Sequence, residues 1–154
     1  MSEREETADE LARFLNDARP QLVRALLAAR GADDAEDAAS EAMVWAVEHQ
    51  DELATLTNPI GYLYRVAQTR SAPRKRPPNL PQPQPALLPE VEPGLVPALL
   101  DLPETQRSAV WLVHACGWTY AEVAEALGVG SSTVGTHVSR GLASLRSAIG
   151  QGAE

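Results

Sequence analysis

The chain has 154 residues, 44% of them hydrophobic, with a formal net charge of −8 and a single cysteine. That apolar content suits one domain or two small ones and excludes a chain that is disordered throughout. No apolar run approaches the roughly 18 residues of a membrane span, so no membrane insertion is expected.

The start, Met1-Ser-Glu-Arg-Glu-Glu, is polar and acidic and lacks the apolar core of a signal peptide. Cys116 alone cannot form an intramolecular disulfide, which fits a reducing cytoplasm. With Val113 and Ala115 nearby, it reads as a small buried hydrophobe rather than a nucleophile. His49, His114 and His137 are scattered without metal-ligand spacing, so no metal is expected. There is no phosphate-cradling glycine loop, no G-x-S-x-G and no carboxylate cluster beside a base. The sequence thus offers no catalytic residue and no cofactor site, and an enzyme is not expected.

Charge is unevenly placed. Residues 1–52 hold 14 Asp and Glu against 5 Arg, a balance of −9, while the remaining 102 residues have 7 acids and 8 bases. An acidic front half is a poor nonspecific DNA binder, because phosphate contacts need Lys and Arg. It suits either a docking face for a basic protein or a solvated, repulsive surface.

In chain order, Thr7 to Ala18 carries Leu11, Phe14, Leu15 and Ala18 at helical spacing. Pro20 fits the first turn of a second helix, Gln21 to Arg30, with Leu22, Val23, Leu26 and Leu27 inward, ended by Gly31. Asp33-Asp34 lead a third helix to about Glu48, with Met43, Val44 and Val47 inward and Trp45 on a different face. A loop, His49 to Thr57, leads to Asn58-Pro59, an N-cap with proline at the first helical position. The helix it opens holds Ile60, Leu63, Tyr64 and Ala67 and is stopped by Pro73.

Nine prolines fall between Pro73 and Pro97, a composition that reads as an extended linker. Its head, Arg74-Lys75-Arg76, is the one dense basic cluster. Asp101-Leu-Pro-Glu104 has capping-box spacing and opens a helix to about Cys116, closed by Gly117. Trp118 and Tyr120 stand at the following junction as packing residues.

Two short helices around a tight turn follow. Val123, Ala124 and Leu127 share one face, Gly128 supplies a positive-φ exit, and Val129 is an apolar plug. Ser131, Ser132 and Thr133 start the next helix, whose apolar stripe is Val134, Val138, Leu142 and Leu145. Its other face shows Ser132, Thr133, Thr136, His137 and Arg140, a hydrogen-bonding set near the N-terminal half. This is a helix-turn-helix layout, whose second helix offers such residues to base edges in the major groove.

Asp101-Leu-Pro-Glu-Thr-Gln-Arg-Ser-Ala-Val-Trp-Leu, with Trp118-Thr-Tyr-Ala-Glu-Val-Ala-Glu-Ala-Leu-Gly, resembles region 4 of bacterial sigma-70-type factors. Asp34-Ala-Glu-Asp37, Glu41-Ala-Met-Val-Trp45 and Asn58-Pro-Ile-Gly-Tyr-Leu-Tyr-Arg-Val-Ala67 resemble region 2. Two such halves without a region 3 are most similar to the small extracytoplasmic-function (ECF) sigma factors. The resemblance implies an all-α chain of two small helical domains, residues 1–72 and 99–150, joined by a Pro-rich linker over 73–98. It further implies that Asp34, Glu36, Asp37, Glu41 and Trp45 meet the clamp helices of RNA polymerase's largest subunit. The loop 50–58 and the helix after it, with Tyr62, Arg65 and Arg70, would handle the −10 promoter element, and the second helix of the helix-turn-helix the −35 element. Trp111, if exposed, is a candidate contact for the polymerase flap or an anti-sigma factor.

The sequence departs from that family at Gly135 and His137, where basic residues are usual, at Asp51 and Glu52 in the −10 loop, and at Pro73, which cuts a normally longer basic helix. Two alternatives follow: a divergent sigma-like regulator that binds polymerase or a partner but initiates poorly, and a LuxR-type activator, which Thr133-Val-Gly-Thr-His-Val138 also resembles.

Overall fold

A computed structural model describes residues 2–71 and 94–152, with side chains through Gly150; Arg74-Lys75-Arg76 and most of the proline run lie outside the described residues. The described residues form α1 (Glu3–Arg30), α2 (Ala32–Glu48), α3 (Gln50–Ala54), α4 (Pro59–Arg70), α5 (Leu95–Asp101) and α6 (Glu104–Val110). A π-helical segment (Trp111–Ala115), α7 (Tyr120–Leu127) and α8 (Ser131–Gly152) complete them, and no strand occurs among them. The all-α class expected from the sequence is what folds.

The first helix corrects one expectation. Pro20 does not start a second helix but sits inside a single 28-residue one, about 42 Å long. Proline there removes one backbone bond, at a cost of about 3 kcal/mol in a helix interior. It is exposed, on the side where carbonyls can turn to water. The inward stripe of Ala18, Leu22, Ala25 and Leu26 continues unbroken on the far side and is fully buried. Packing of that stripe on α2 outweighs the lost bond.

The orientation of α2 is a second correction. Its buried face is Ala35, Ala38, Ala39, Ala42 and Ala46, each with no exposed surface, together with Trp45. Val44 and Val47, expected inward, are 52% and 48% exposed. Alanines present little bulk where α2 packs on α1 and α4, which permits close approach of the helices. Valines in that seam would force them apart.

Arg30 joins three helix ends. Its guanidinium pairs with Asp34 at 3.1 Å, at the start of α2. It also donates to the carbonyls of Gln68 and Ser71, at 3.1 and 2.8 Å, at the end of α4. A cation on orphaned C-terminal carbonyls is favoured by both hydrogen bonding and the helix dipole. The start of α4 forms as expected, with Asn58 Oδ1 accepting from the Gly61 N–H at 3.1 Å and proline in the first turn. The stretch before it is not all loop, since Gln50–Ala54 make the short helix α3.

In the second half, α5 begins at Leu95, inside the stretch expected as linker. Pro97 lies in its first turn, where a missing N–H costs nothing, and Ala98, Leu99 and Leu102 bury against Val110 and Leu145. The capping box expected at Asp101–Glu104 is not made: Asp101 ends α5, and Pro103 precedes α6 without a side-chain cap. The helix from Glu104 also changes pitch. Cys116 N–H reaches back five residues to the Trp111 carbonyl at 3.1 Å, before Gly117 turns the chain at φ 72°.

The two halves share one hydrophobic core. Leu22, Leu26, Leu63 and Tyr64 from the first half cluster with Ala109, Leu112, Val123 and Val134 from the second. The helix α7 packs on α4, and α6 on α1.

Candidate nucleic-acid interface

The helix-turn-helix is built from local chemistry. Thr119 Oγ1 accepts from the Glu122 N–H at 3.1 Å, and the Glu122 carboxylate accepts from the Thr119 N–H at 2.9 Å, so α7 starts in a reciprocal cap. Gly128 ends it in the left-handed region (φ 70°, ψ 36°), which a residue with a Cβ enters only at a cost. The expected stripe of α8 is present: Val134, Val138 and Leu145 are buried, and Leu142 is half-buried. At Gly141 a Cβ would stand 2.6 Å from Val110 Cγ2, so α6 and α8 cross at a point that only glycine permits.

The opposite face of α8 is open. Ser132, Thr133, Thr136 and Arg140 are exposed, as is Ser139, which shares their face one turn beyond Thr136 and was not picked out from the sequence. The Thr136 hydroxyl donates to the Ser132 carbonyl at 3.1 Å, leaving its lone pairs outward. His137 differs from its neighbours: it is half-buried, and its Nδ1 is shut off from solvent without a hydrogen-bond partner. Only one ring edge is therefore available outward. Gly135 lies beside the Tyr120 ring.

The acidic helix presents part of its expected set. Glu36, Asp37 and Glu41 are exposed, Glu36 also bridging to Arg19 at 3.0 Å. Asp34 is buried on Arg30. Trp45 is 8% exposed, stacked on His49 at 4.6 Å and tilted against Tyr62 at 5.1 Å. Periodicity counted valine above alanine and so missed that Val44 and Val47 continue the acidic stripe as an exposed apolar patch.

Of the −10 candidates, Arg65 and Arg70 are exposed and Tyr62 is half-buried. Between α1, α3 and the start of α4 an open cleft of about 290 Å³ is lined by Leu11, Phe14, Leu53, Leu56 and Pro59, with Thr7, Glu10 and Gln50 also on its wall. Asp51 and Glu52 are exposed on α3, with the Tyr62 hydroxyl 3.5 Å from Glu52 Oε1.

Two buried groups have displaced protonation equilibria. Burial pushes the Tyr64 phenol up to about 12, against the pull of its hydrogen bonds to Ser108 and Gln68. Burial likewise pushes the Cys116 thiol up to about 11, partly offset by Arg24, which leaves little thiolate at neutral pH. Among the described residues no group of His, Cys, Asp and Glu is arranged to hold a metal, and no helix is long and apolar enough to cross a membrane.

Residues 96–145 match the family model described as sigma-70, region 4. The matched segment spans nearly all of α5, the helix-turn-helix and most of α8. The whole fold is similar to that of the sigma factor RpoE from Bartonella quintana, solved as a co-crystal with the anti-sigma factor NepR. That similarity has a TM-score of 0.67 at 20% identity and covers 94% of this chain and 97% of that one. No curated protein sequence matches. The region 4 match and the fold similarity favour a sigma-type reading over the LuxR-type one. Within the matched segment, the buried Arg107 donates to the Leu100 and Leu102 carbonyls, holding α5 onto α6.

Proposed function

We propose that the chain is an ECF-type RNA polymerase sigma factor whose two halves read two promoter elements while bound to the polymerase core. The observation that carries this is the region 4 match laid over an open reading face on α8. Arg140 supplies the bidentate contact to guanine O6 and N7, and Ser132, Thr133, Thr136 and one edge of His137 supply weaker hydrogen bonds. Tyr62, Arg65 and Arg70 on α4, the helix whose first residue lines the cleft, engage the −10 element. The cleft suits a base taken out of the stack, which an apolar wall holds by dispersion and stacking.

The polymerase contact is the outer face of α2. Glu36, Asp37 and Glu41 steer toward a basic partner, and Val44 and Val47 add apolar area that water would otherwise cover. Asp34 and Trp45 serve it from inside, by fixing the ends of that helix. Domains over 1–72 and 99–150, a cytoplasmic location and a non-enzymatic role complete the reading. An anti-sigma factor is a fitting further partner, because the similar structure is of a sigma factor held by one.

The test is assembly with purified core polymerase. The chain should co-purify with core and direct run-off transcription, and Asp37→Arg with Glu41→Arg should weaken that assembly, more so at low ionic strength. Unchanged assembly after both reversals removes the α2 contact from the account.

A further inference from the structure

Two adjacent residues of α8 have their hydrogen-bonding roles set before any DNA arrives. The exposed Thr136 hydroxyl commits its proton to the Ser132 carbonyl, one turn back, at 3.1 Å. A hydroxyl carries one proton and two lone pairs, so only acceptor capacity is left for the groove. Donating outward would require giving up the bond to Ser132.

His137 is set from the other side. Its Nδ1 has neither a hydrogen-bond partner nor contact with solvent, and the ring as a whole is half-buried. The edge that reaches solvent is the one bearing Nε2. A neutral imidazole has one N–H and one bare nitrogen. Sealing an N–H away without an acceptor is the rarer outcome in folded proteins, and an under-used acceptor is tolerated more often. The bare nitrogen is thus the inner one, and Nε2 carries the proton outward. His49 has the opposite assignment. Its Nδ1 lies 2.9 Å from the Trp45 carbonyl, which can only accept, so there the proton sits on Nδ1.

The major groove discriminates between these roles. Adenine and cytosine each present an amine there, at N6 and N4, whereas guanine and thymine present acceptors and no amine. Cytosine is the one base without an acceptor on that edge, since adenine keeps N7. An acceptor-only side chain against guanine O6 or thymine O4 sets lone pair against lone pair. A donor-only one against the cytosine amine sets proton against proton, and either mismatch leaves a polar group unpaired. Arg140, one turn beyond Thr136 on the same face, has donors only and marks the register.

We propose that Thr136 and His137 give the reading face of α8 a fixed hydrogen-bond polarity. Thr136 accepts from the amine of an adenine or a cytosine, and His137 donates through Nε2 at a neighbouring position that any base but cytosine can fill. The base preferences rest on the reading of α8 as the −35 helix above. The proton positions do not.

Two measurements test them separately. The first is nitrogen NMR of the full chain carrying isotope-labelled histidine, without DNA or polymerase, in mildly alkaline buffer above the ordinary histidine range. His137→Gln identifies the His137 signals by their loss. The expected result is a protonated Nε2 and a bare Nδ1 for His137, with the reverse for His49. A proton on Nδ1 of His137, or an even mixture, overturns its donor role.

The second is selection of a promoter library, randomised over the −35 element, by the full chain assembled with core polymerase. The unaltered chain should retain adenine or cytosine at one position and exclude cytosine from another nearby. Thr136→Val should weaken the first preference roughly two- to tenfold, the effect of one neutral hydrogen bond, and Thr136→Ser should keep it. His137→Phe, which retains an aromatic ring for packing, should admit cytosine at the second position to a similar degree. Guanine or thymine preferred at the position that Thr136→Val alters overturns the polarity, as do selected sequences that neither Thr136→Val nor His137→Phe changes. Failure of every variant and of the unaltered chain to enrich any sequence, with the proton positions as expected, overturns the −35 reading and the base preferences with it.

Discussion

Tyr64 and Trp118 meet edge to face across the seam, with ring centroids 5.8 Å apart and planes at 73°. The contact puts a phenol with no route to water at the join of the two halves, which is why its proton is held to about 12. The folded value lies above the unfolded 10.0, so the stability tied to this group is fully present below pH 10 and is lost as pH rises through about 12. Two units correspond to roughly 2–3 kcal/mol. Urea midpoints from pH 8 to 12 should therefore fall more steeply for the unaltered chain than for Tyr64→Phe. Equal alkaline slopes would show that Tyr64 is not the group responsible.

Arg107 serves three carbonyls, of Ala28, Leu100 and Leu102, and only the first lies across the seam. Burial lowers its proton affinity, partly restored by Glu104, yet an arginine keeps its charge at any ordinary pH. Arg107→Ala should cost about 2–4 kcal/mol, because two buried carbonyls and a part-buried one lose their shared donor group. Chemical denaturation measures it, and a loss below about 1 kcal/mol would mean that water takes the vacated place.

Gly141 and Gly150 form a matched pair on one helix. An alanine at Gly141 would drive its methyl onto Val110, a stiff β-branched side chain in the core, whereas Gly150 has nothing within 4 Å. We expect Gly141→Ala to destabilise by about 1–3 kcal/mol through overpacking, despite better helix propensity. Gly150→Ala should be neutral or slightly stabilising. Thermal melts of the two variants settle the matter, and similar melting temperatures would place the crossing of α6 and α8 elsewhere.

The reading face carries one permanent cation, Arg140. The full chain without polymerase should bind promoter duplex weakly and with a shallow salt dependence, because the slope counts neutralised phosphates. In the assembled holoenzyme, tethering raises the effective concentration, and Arg140→Ala should lose roughly 1–3 kcal/mol of discrimination at one base pair. Gly135→Lys should tighten binding on all sequences alike and steepen the salt slope by about one. Tight, steeply salt-dependent binding by the free chain would contradict this picture.

The sequence was most legible where structure is set locally. Asn58-Pro59, the Gly128 exit and the Val134–Leu145 stripe each depend on neighbours within a turn or two, and each formed as expected. Legibility failed where distant packing decides. Pro20 reads as a helix start until the inward stripe is seen to continue past it. Val44 and Val47 read as core because a periodicity argument ranks them above alanine, while the actual seam needs the smaller residue. Asp34 reads as a surface acid because its partner Arg30 also holds the end of α4, more than thirty residues away. The bonds around Trp111 leave no mark at all, since backbone carbonyls accept both of them and carry no sequence signature.

The alanine seam of α2 also bears on how this protein should respond to temperature. Ala35, Ala38, Ala39, Ala42 and Ala46 give up no side-chain rotamers on folding, so the seam forms at little entropic cost. Each also removes less apolar surface from water than a leucine would, and the heat capacity of unfolding scales with that surface. This seam should thus contribute less than the usual 12–15 cal/mol/K per residue to the heat capacity of unfolding, which flattens the stability curve. Cooling would then weaken this seam less than it weakens the leucine-rich contacts of α5 with α8.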